Sequence, residues 1–223
     1  MRLDGIRLCV PQVEDAVADY ARLLGVAAVA LDDGGWRLGL ERGAVEIAPA
    51  AAAHLAVLFA AEDGDDLATW PVDAAEHGID VRVVWRGAAP PLPAGAVRAI
   101  DHVVVHTNDP QRAITHWRDR LGLRLALDRT FAERGLRLLF FRSGGVTLEY
   151  AQRLGAPAEP VPDTIYGVSY RVADLEATQA RLLEAGLDVS ELRPGMKPGT
   201  RVATVRSGTA GVPTLLIEQP GRD

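Results

Sequence analysis

The chain has 223 residues, enough for one large domain or two small ones with a real core, and its 48% hydrophobic content excludes a disordered polypeptide. A net charge of −6 argues against a nucleic-acid partner, which would require a basic face. Cys9 is the only cysteine, so no intrachain disulfide forms; it lies in an apolar run and is expected as a small buried hydrophobe.

No apolar stretch is long enough to span a bilayer, and Met1-Arg2-Leu3-Asp4-Gly5 lacks the apolar centre of a signal peptide. The expectation is a cytoplasmic protein with a small-molecule substrate, no nucleic-acid or membrane partner, and a homodimer left open.

In chain order, one pattern recurs four times: a short apolar strand, a turn, an amphipathic helix closed by glycine, then further strands. Repeat one opens with residues 3–10, followed by a helix over 13–24 that ends at Gly25. Its hairpin pairs 36–40 with 44–47 around Glu41-Arg42-Gly43. Repeat two opens with 54–59 and continues with a helix over 65–76 ending at Gly78 and a strand over 81–85. The proline-rich run 87–95 that follows cannot supply two ladder strands, so this repeat is truncated to strand, helix and strand. The run also divides an N-terminal half, 1–96, from a C-terminal half, 97–223.

Repeat three opens with Ile100-Asp101-His102-Val103-Val104-Val105-His106. Asn108-Asp109-Pro110 then starts a helix over 110–121, with Ala113, Ile114, Trp117 and Leu121 forming one apolar stripe. On that spacing His116 points to solvent, as does His77 in repeat two. A hairpin pairs 137–142 with 146–150. Repeat four follows a proline-bearing linker, 155–163. It has a strand over 166–172, a helix over 175–185, and a hairpin pairing 201–206 with 214–218. Trp36, Trp70, Trp85 and Trp117 are expected in the core or at interfaces.

This order of elements resembles the vicinal oxygen chelate superfamily, which includes glyoxalase, bleomycin-resistance and extradiol dioxygenase proteins. The resemblance implies an α+β fold of tandem βαβββ units, with rolled mixed sheets and helices outside. In that superfamily the first strand of a unit offers a His and the last strand a Glu to a divalent metal. Residue by residue, repeat three matches both, with His102 and Glu149. Repeat four has Gly167 for the His but keeps Glu218, repeat one has Gly5 for the His but keeps Glu46, and repeat two has His54 without the Glu.

Two ligand sets therefore stand open. Repeats three and four would give His102, Glu149 and Glu218; repeats two and three would give His54, His102 and Glu149, a facial set suited to iron and oxygen. The first is taken as the working expectation because both of its repeats are complete. The ion would be Fe, Mn, Zn or Ni, with open positions for vicinal substrate oxygens.

Strand alternation adds His106, Phe140, Arg142, Thr147, Ser169 and Arg171 as pocket residues. The implied function is a metal-dependent enzyme, a glyoxalase-like lyase or isomerase or a dioxygenase, in which Glu149 or Glu218 exchanges a proton and the ion stabilises an oxyanionic intermediate. The alternative is a metal-free binder of the resistance or sequestration type. There Arg171 would neutralise Glu149 and Glu218 in place of a metal, since two facing carboxylates at ~4 Å repel by roughly 4 kcal/mol.

Overall fold

The structure is a computed structural model, described here for residues 2–61, 65, 77–85, 89, 91–156 and 161–219. Repeat one comprises β1 (Arg2–Val10), α1 (Val13–Leu24), β2 (Ala28–Ala30), β3 (Trp36–Gly39) and β4 (Ala44–Pro49). Repeat two contributes β5 (His54–Ala61) and β6 (Asp80–Trp85); the helix expected over 65–76 lies outside the described residues, Asp65 excepted. Repeat three has β7 (Ala99–His106), α2 (Pro110–Ile114), β8 (Arg124–Phe131), β9 (Leu136–Ser143) and β10 (Val146–Arg153). Repeat four has β11 (Thr164–Val172), α3 (Leu175–Glu184), β12 (Arg193–Pro194), β13 (Arg201–Val205) and β14 (Thr214–Glu218). Among the described residues, no strand separates β6 from β7, which is the truncation read from the prolines. The α+β fold of tandem βαβββ units is thus present.

The three complete repeats share one wiring rule. The last strand lies parallel beside the first, as in Gly5↔Ala44, His102↔Thr147 and Val168↔Thr214, and the intervening strands add antiparallel. Strand neighbours run β2-β3-β4-β1 in repeat one, β5-β6 in repeat two, β7-β10-β9-β8 in repeat three and β12-β13-β14-β11 in repeat four.

Local chemistry fixes the helices. Asp109 accepts from the Arg112 N–H and Asp174 from the Ala177 N–H, each satisfying an orphan donor of a first helical turn. Gly25 ends α1 at φ 71°, a left-handed conformation that favours glycine.

The chain forms two compact units, each drawing on both sequence halves. The first comprises Met1–Asp4, Leu55–Gly87 and His102–Gly167, mainly repeats two and three; the second comprises Gly5–His54, Ala88–Asp101 and Val168–Asp223, mainly repeats one and four. In the first unit, Trp117 is fully buried. Its ring lies 6.1 Å from that of Phe59, and its Nε1 donates to the Tyr150 hydroxyl at 2.6 Å. In the second, the buried Tyr20 of α1 donates to the Thr209 carbonyl at 3.2 Å. Arg181 of α3 donates to the Arg22 and Leu23 carbonyls at the end of α1. Cys9 is buried, as expected. Trp85 is 63% exposed, and Trp70 lies outside the described residues.

Two expectations on the helices are corrected. Residues Thr115–Arg120 form a wide π turn rather than a continuation of α2. That turn carries His116 inward beside Trp117, so His116 is buried where regular helical spacing places it in solvent. His77 is buried too, its Nδ1 accepting from the Ile79 N–H at 3.1 Å.

Candidate functional site

Ladder register settles which side chains share a face in the first unit. Val103, Val105, Leu148 and Tyr150 are buried, and through Tyr150 they mark the face that carries Trp117. The opposite, open face therefore holds His102, Val104 and His106 on β7, and Thr147, Glu149 and Ala151 on β10. Register extends these into rows across β9 and β8. One row is His102, Thr147, Arg142 and Arg124; the next is Val104, Glu149, Phe140 and Leu127. The first unit thus brings together six sequence-predicted residues on one face: His102, His106, Glu149, Thr147, Phe140 and Arg142. Arg124 and Leu127 were missed in the sequence; the hairpin register of β8 and β9 was the signal that could have found them.

His102 Nε2 and Glu149 Oε2 lie 4.0 Å apart, both partly exposed. His106 stacks on Tyr166, ring centroids 4.5 Å apart, and its pKa is pushed below 6.5, chiefly by burial and secondarily by the Arg153 charge.

Glu218 belongs to the second unit and has its own partners there. Arg201 stands directly across the ladder, and its Nη2 donates to the two carboxylate oxygens at 3.0 and 2.9 Å. The Leu175 N–H at the start of α3 donates to Oε2 at 2.7 Å. Glu218 shares a face with Leu216 and, through the ladder, with Tyr170 and Val172. The bond from Leu175 at the start of α3 reaches Glu218 on this side, so this is the helix-bearing face. Ser169 is buried, and Arg171 donates to Asp101 at 2.6 Å. The arginine that neutralises Glu218 is therefore Arg201, where the metal-free alternative had assigned Arg171. His54 is exposed at the start of β5, its Nδ1 3.2 Å from the Ala52 carbonyl.

Repeat one follows the same logic. Glu46 is buried between Arg7 at 3.0 Å and Arg37 at 2.8 Å, each its ladder neighbour. Gly5 cannot be replaced by a ligand histidine, because a Cβ there would lie 2.0 Å from the Ala44 carbonyl oxygen.

The donors can be tested against a divalent ion on this geometry. Two ligands of one ion stand about 3–4 Å apart, so His102 and Glu149 suit a shared ion. A third protein donor is what the set lacks. Glu218 is engaged by Arg201 and α3, and among the described residues no three His, Cys, Asp or Glu side chains cluster as a metal would need. The three-donor centre does not fit these residues as they stand.

Residues 101–204 match the family model described as the Glyoxalase/Bleomycin resistance protein/Dioxygenase superfamily. Among solved structures, a triple mutant of 4-hydroxymandelate synthase from Streptomyces coelicolor aligns over 100% of this chain and 93% of its own, at TM-score 0.73 and 12% identity. BphC, a halotolerant catechol dioxygenase, aligns over 97% of this chain and 86% of its own, at TM-score 0.66 and 14% identity. Methylmalonyl-CoA epimerase from Mycobacterium tuberculosis, at 22% identity and TM-score 0.48, covers 59% of this chain and 94% of its own. A search of curated proteins finds no match. The chain is a tandem βαβββ protein with the vicinal oxygen chelate fold. Its segment 101–204 is similar to the glyoxalase, bleomycin-resistance and dioxygenase superfamily.

Proposed function

We propose that the chain binds a small anionic molecule with an apolar body on the open face of the first unit, without a three-donor metal centre. The observation that carries this reading is what stands across the ladder from each closing glutamate. It is Arg37 for Glu46 and Arg201 for Glu218, but Phe140 for Glu149. Two of the three carboxylates are thereby converted into structural ion pairs. Glu149 instead faces an aromatic ring and has His102 beside it.

The row of Arg142, Arg124 and Thr147 supplies cationic and hydroxyl groups for an oxyanion. The row of Phe140, Leu127 and Val104 supplies apolar contact. Glu149, with His102 alongside, can accept a proton from a bound carbon acid, which is the catalytic step this pair supports. In this reading Glu218 is a structural residue.

A second reading is favoured by the 4.0 Å between His102 and Glu149, which suits two ligands of one ion. In it a divalent metal is completed by vicinal oxygens of a substrate, as in the metal-dependent enzymes the superfamily resemblance implies. One experiment separates the two: metal analysis of purified protein, with titration of Mn, Zn, Ni and Fe(II) ions up to near-millimolar concentration. The proposal expects no stoichiometric ion and no change in His102→Ala. A stoichiometric ion lost in both His102→Ala and Glu149→Gln would replace the proposal with the metal-dependent enzyme.

A further inference from the structure

Residue rows cross the open face of the first unit at two-residue intervals along β7. The rows that start at His102 and Val104 are followed by a third: His106, Ala151, Leu138 and Arg129. The Arg129 guanidinium lies 4.8 Å from the centroid of the Phe131 ring, which holds that cation at the edge of the row. The His102 and His106 rows stand four residues apart on β7, about 13 Å at the rise of a parallel strand. Arg142, Arg124 and Thr147 mark one end of this length, and Phe140 and Leu127 lie in the middle.

The far end closes on an aromatic pair. Tyr166, near the start of β11, belongs to the same unit, and its ring stacks on His106 with the planes 22° apart. His106 projects from the open face, so the stack brings the tyrosine ring to that face as well. Both side chains are exposed, Tyr166 at 51%. The pair is no part of the core, because Trp117, Phe141 and Tyr150 are buried on the other side of the sheet. A stacked pair keeps the outer side of each ring available, and a further flat ring extends it in offset or edge-on geometry.

We propose that the ligand of the open face is an elongated aromatic acid, with its carboxylate toward Arg142 and Arg124 and its ring on the His106–Tyr166 stack. The inference rests on the reading of this face as an anion site with apolar contact, and adds the length of the ligand and the nature of its far end. A short acid held at the His102 row does not reach the His106 row. A long acid with a saturated end reaches it and gains contact area alone, whereas an aromatic ring gains area and the stacking interaction. Tyr166 is then a specificity-determining residue that selects the ring, while the arginine row holds the anion.

The test is calorimetric titration of the intact protein with three acids: butyrate, 6-phenylhexanoate and 6-cyclohexylhexanoate. The phenyl acid should bind about tenfold or more tighter than butyrate and about threefold or more tighter than the cyclohexyl acid, although the saturated ring is the more apolar. Tyr166→Leu should weaken the phenyl acid about fivefold or more and abolish its advantage over the cyclohexyl acid. Leu183→Ala removes an equally exposed apolar side chain from the second unit, also at 51%, and should bind all three acids as the parent does. Circular dichroism of each variant checks that it is folded. The inference alone is overturned if butyrate binds and the phenyl acid gains nothing over it, if the cyclohexyl acid binds as tightly as the phenyl acid, or if folded Tyr166→Leu keeps the preference. Saturable binding of none of the three acids overturns the anion-site reading of the face together with the inference.

Discussion

Arg201 and Glu218 are direct ladder partners on β13 and β14, and the arginine Nη2 spans the two carboxylate oxygens at 3.0 and 2.9 Å. A residue that the superfamily resemblance made a candidate metal ligand thereby forms a cross-strand ion pair and also caps α3 through the Leu175 N–H. The same device recurs in repeat one with Arg37 and Glu46.

These two pairs differ in burial, and so in what their loss costs. Glu46 is buried at 3% exposure between two arginines, so Glu46→Ala removes a buried partner from both, with Arg7 keeping Asp33, and should cost about 3 kcal/mol. Glu218→Ala removes a partly exposed pair and one helix-end hydrogen bond, and should cost about 1 kcal/mol. Urea unfolding of both variants measures the difference. Equal losses would mean that burial does not set the ranking.

Gly5 stands where a first-strand histidine would be needed in repeat one. Gly5→Ala drives a Cβ to 2.0 Å from the Ala44 backbone oxygen, which a flexible side chain cannot relieve. The variant should lose about 2–3 kcal/mol or more of stability, or fail to fold. A stability equal to the parent in a urea titration would contradict the close approach of β1 and β4.

His106 should titrate below 6.5 in the folded protein, because burial and then Arg153 disfavour its charged form. The unfolded chain binds the proton more readily over the interval between that lowered value and 6.5. Stability from this group is therefore complete above 6.5 and declines as pH falls through the interval. Proton NMR of the imidazole reads the midpoint directly. Arg153→Ala should move it part of the way back toward 6.5, since the burial contribution remains.

Trp117 and Tyr150 hold the helix side of the first unit to its sheet through a 2.6 Å hydrogen bond with no solvent access. Burial raises the Tyr150 pKa well above 10.0, so the hydroxyl stays neutral at any ordinary pH. Tyr150→Phe leaves the indole N–H without this acceptor and should cost about 1–3 kcal/mol. In a double-mutant cycle with Trp117→Phe the losses should be less than additive. Strict additivity would remove the bond from the account.

The sequence by itself determined the order of the main elements, the repeated strand-helix-strand pattern, the truncation of repeat two and, of the open-face residues of repeat three, His102, His106, Phe140, Arg142, Thr147 and Glu149. Each of these depends on local signals: a period of two in strands, a period near four in helices, glycine at helix ends and proline where a ladder strand cannot form. Tertiary structure decided the rest. Which face Glu218 takes depends on strand phase, and a slip of one residue turns a side chain to the other side of the sheet. Arg201 and Arg37 became partners of Glu218 and Glu46 only when hairpin register set them opposite. His116 turned inward because the wide turn shifts the helical phase beside Trp117, which no regular spacing encodes. Charge partnership and strand phase both arise from pairing between segments, and the run of residue types along one segment does not contain them.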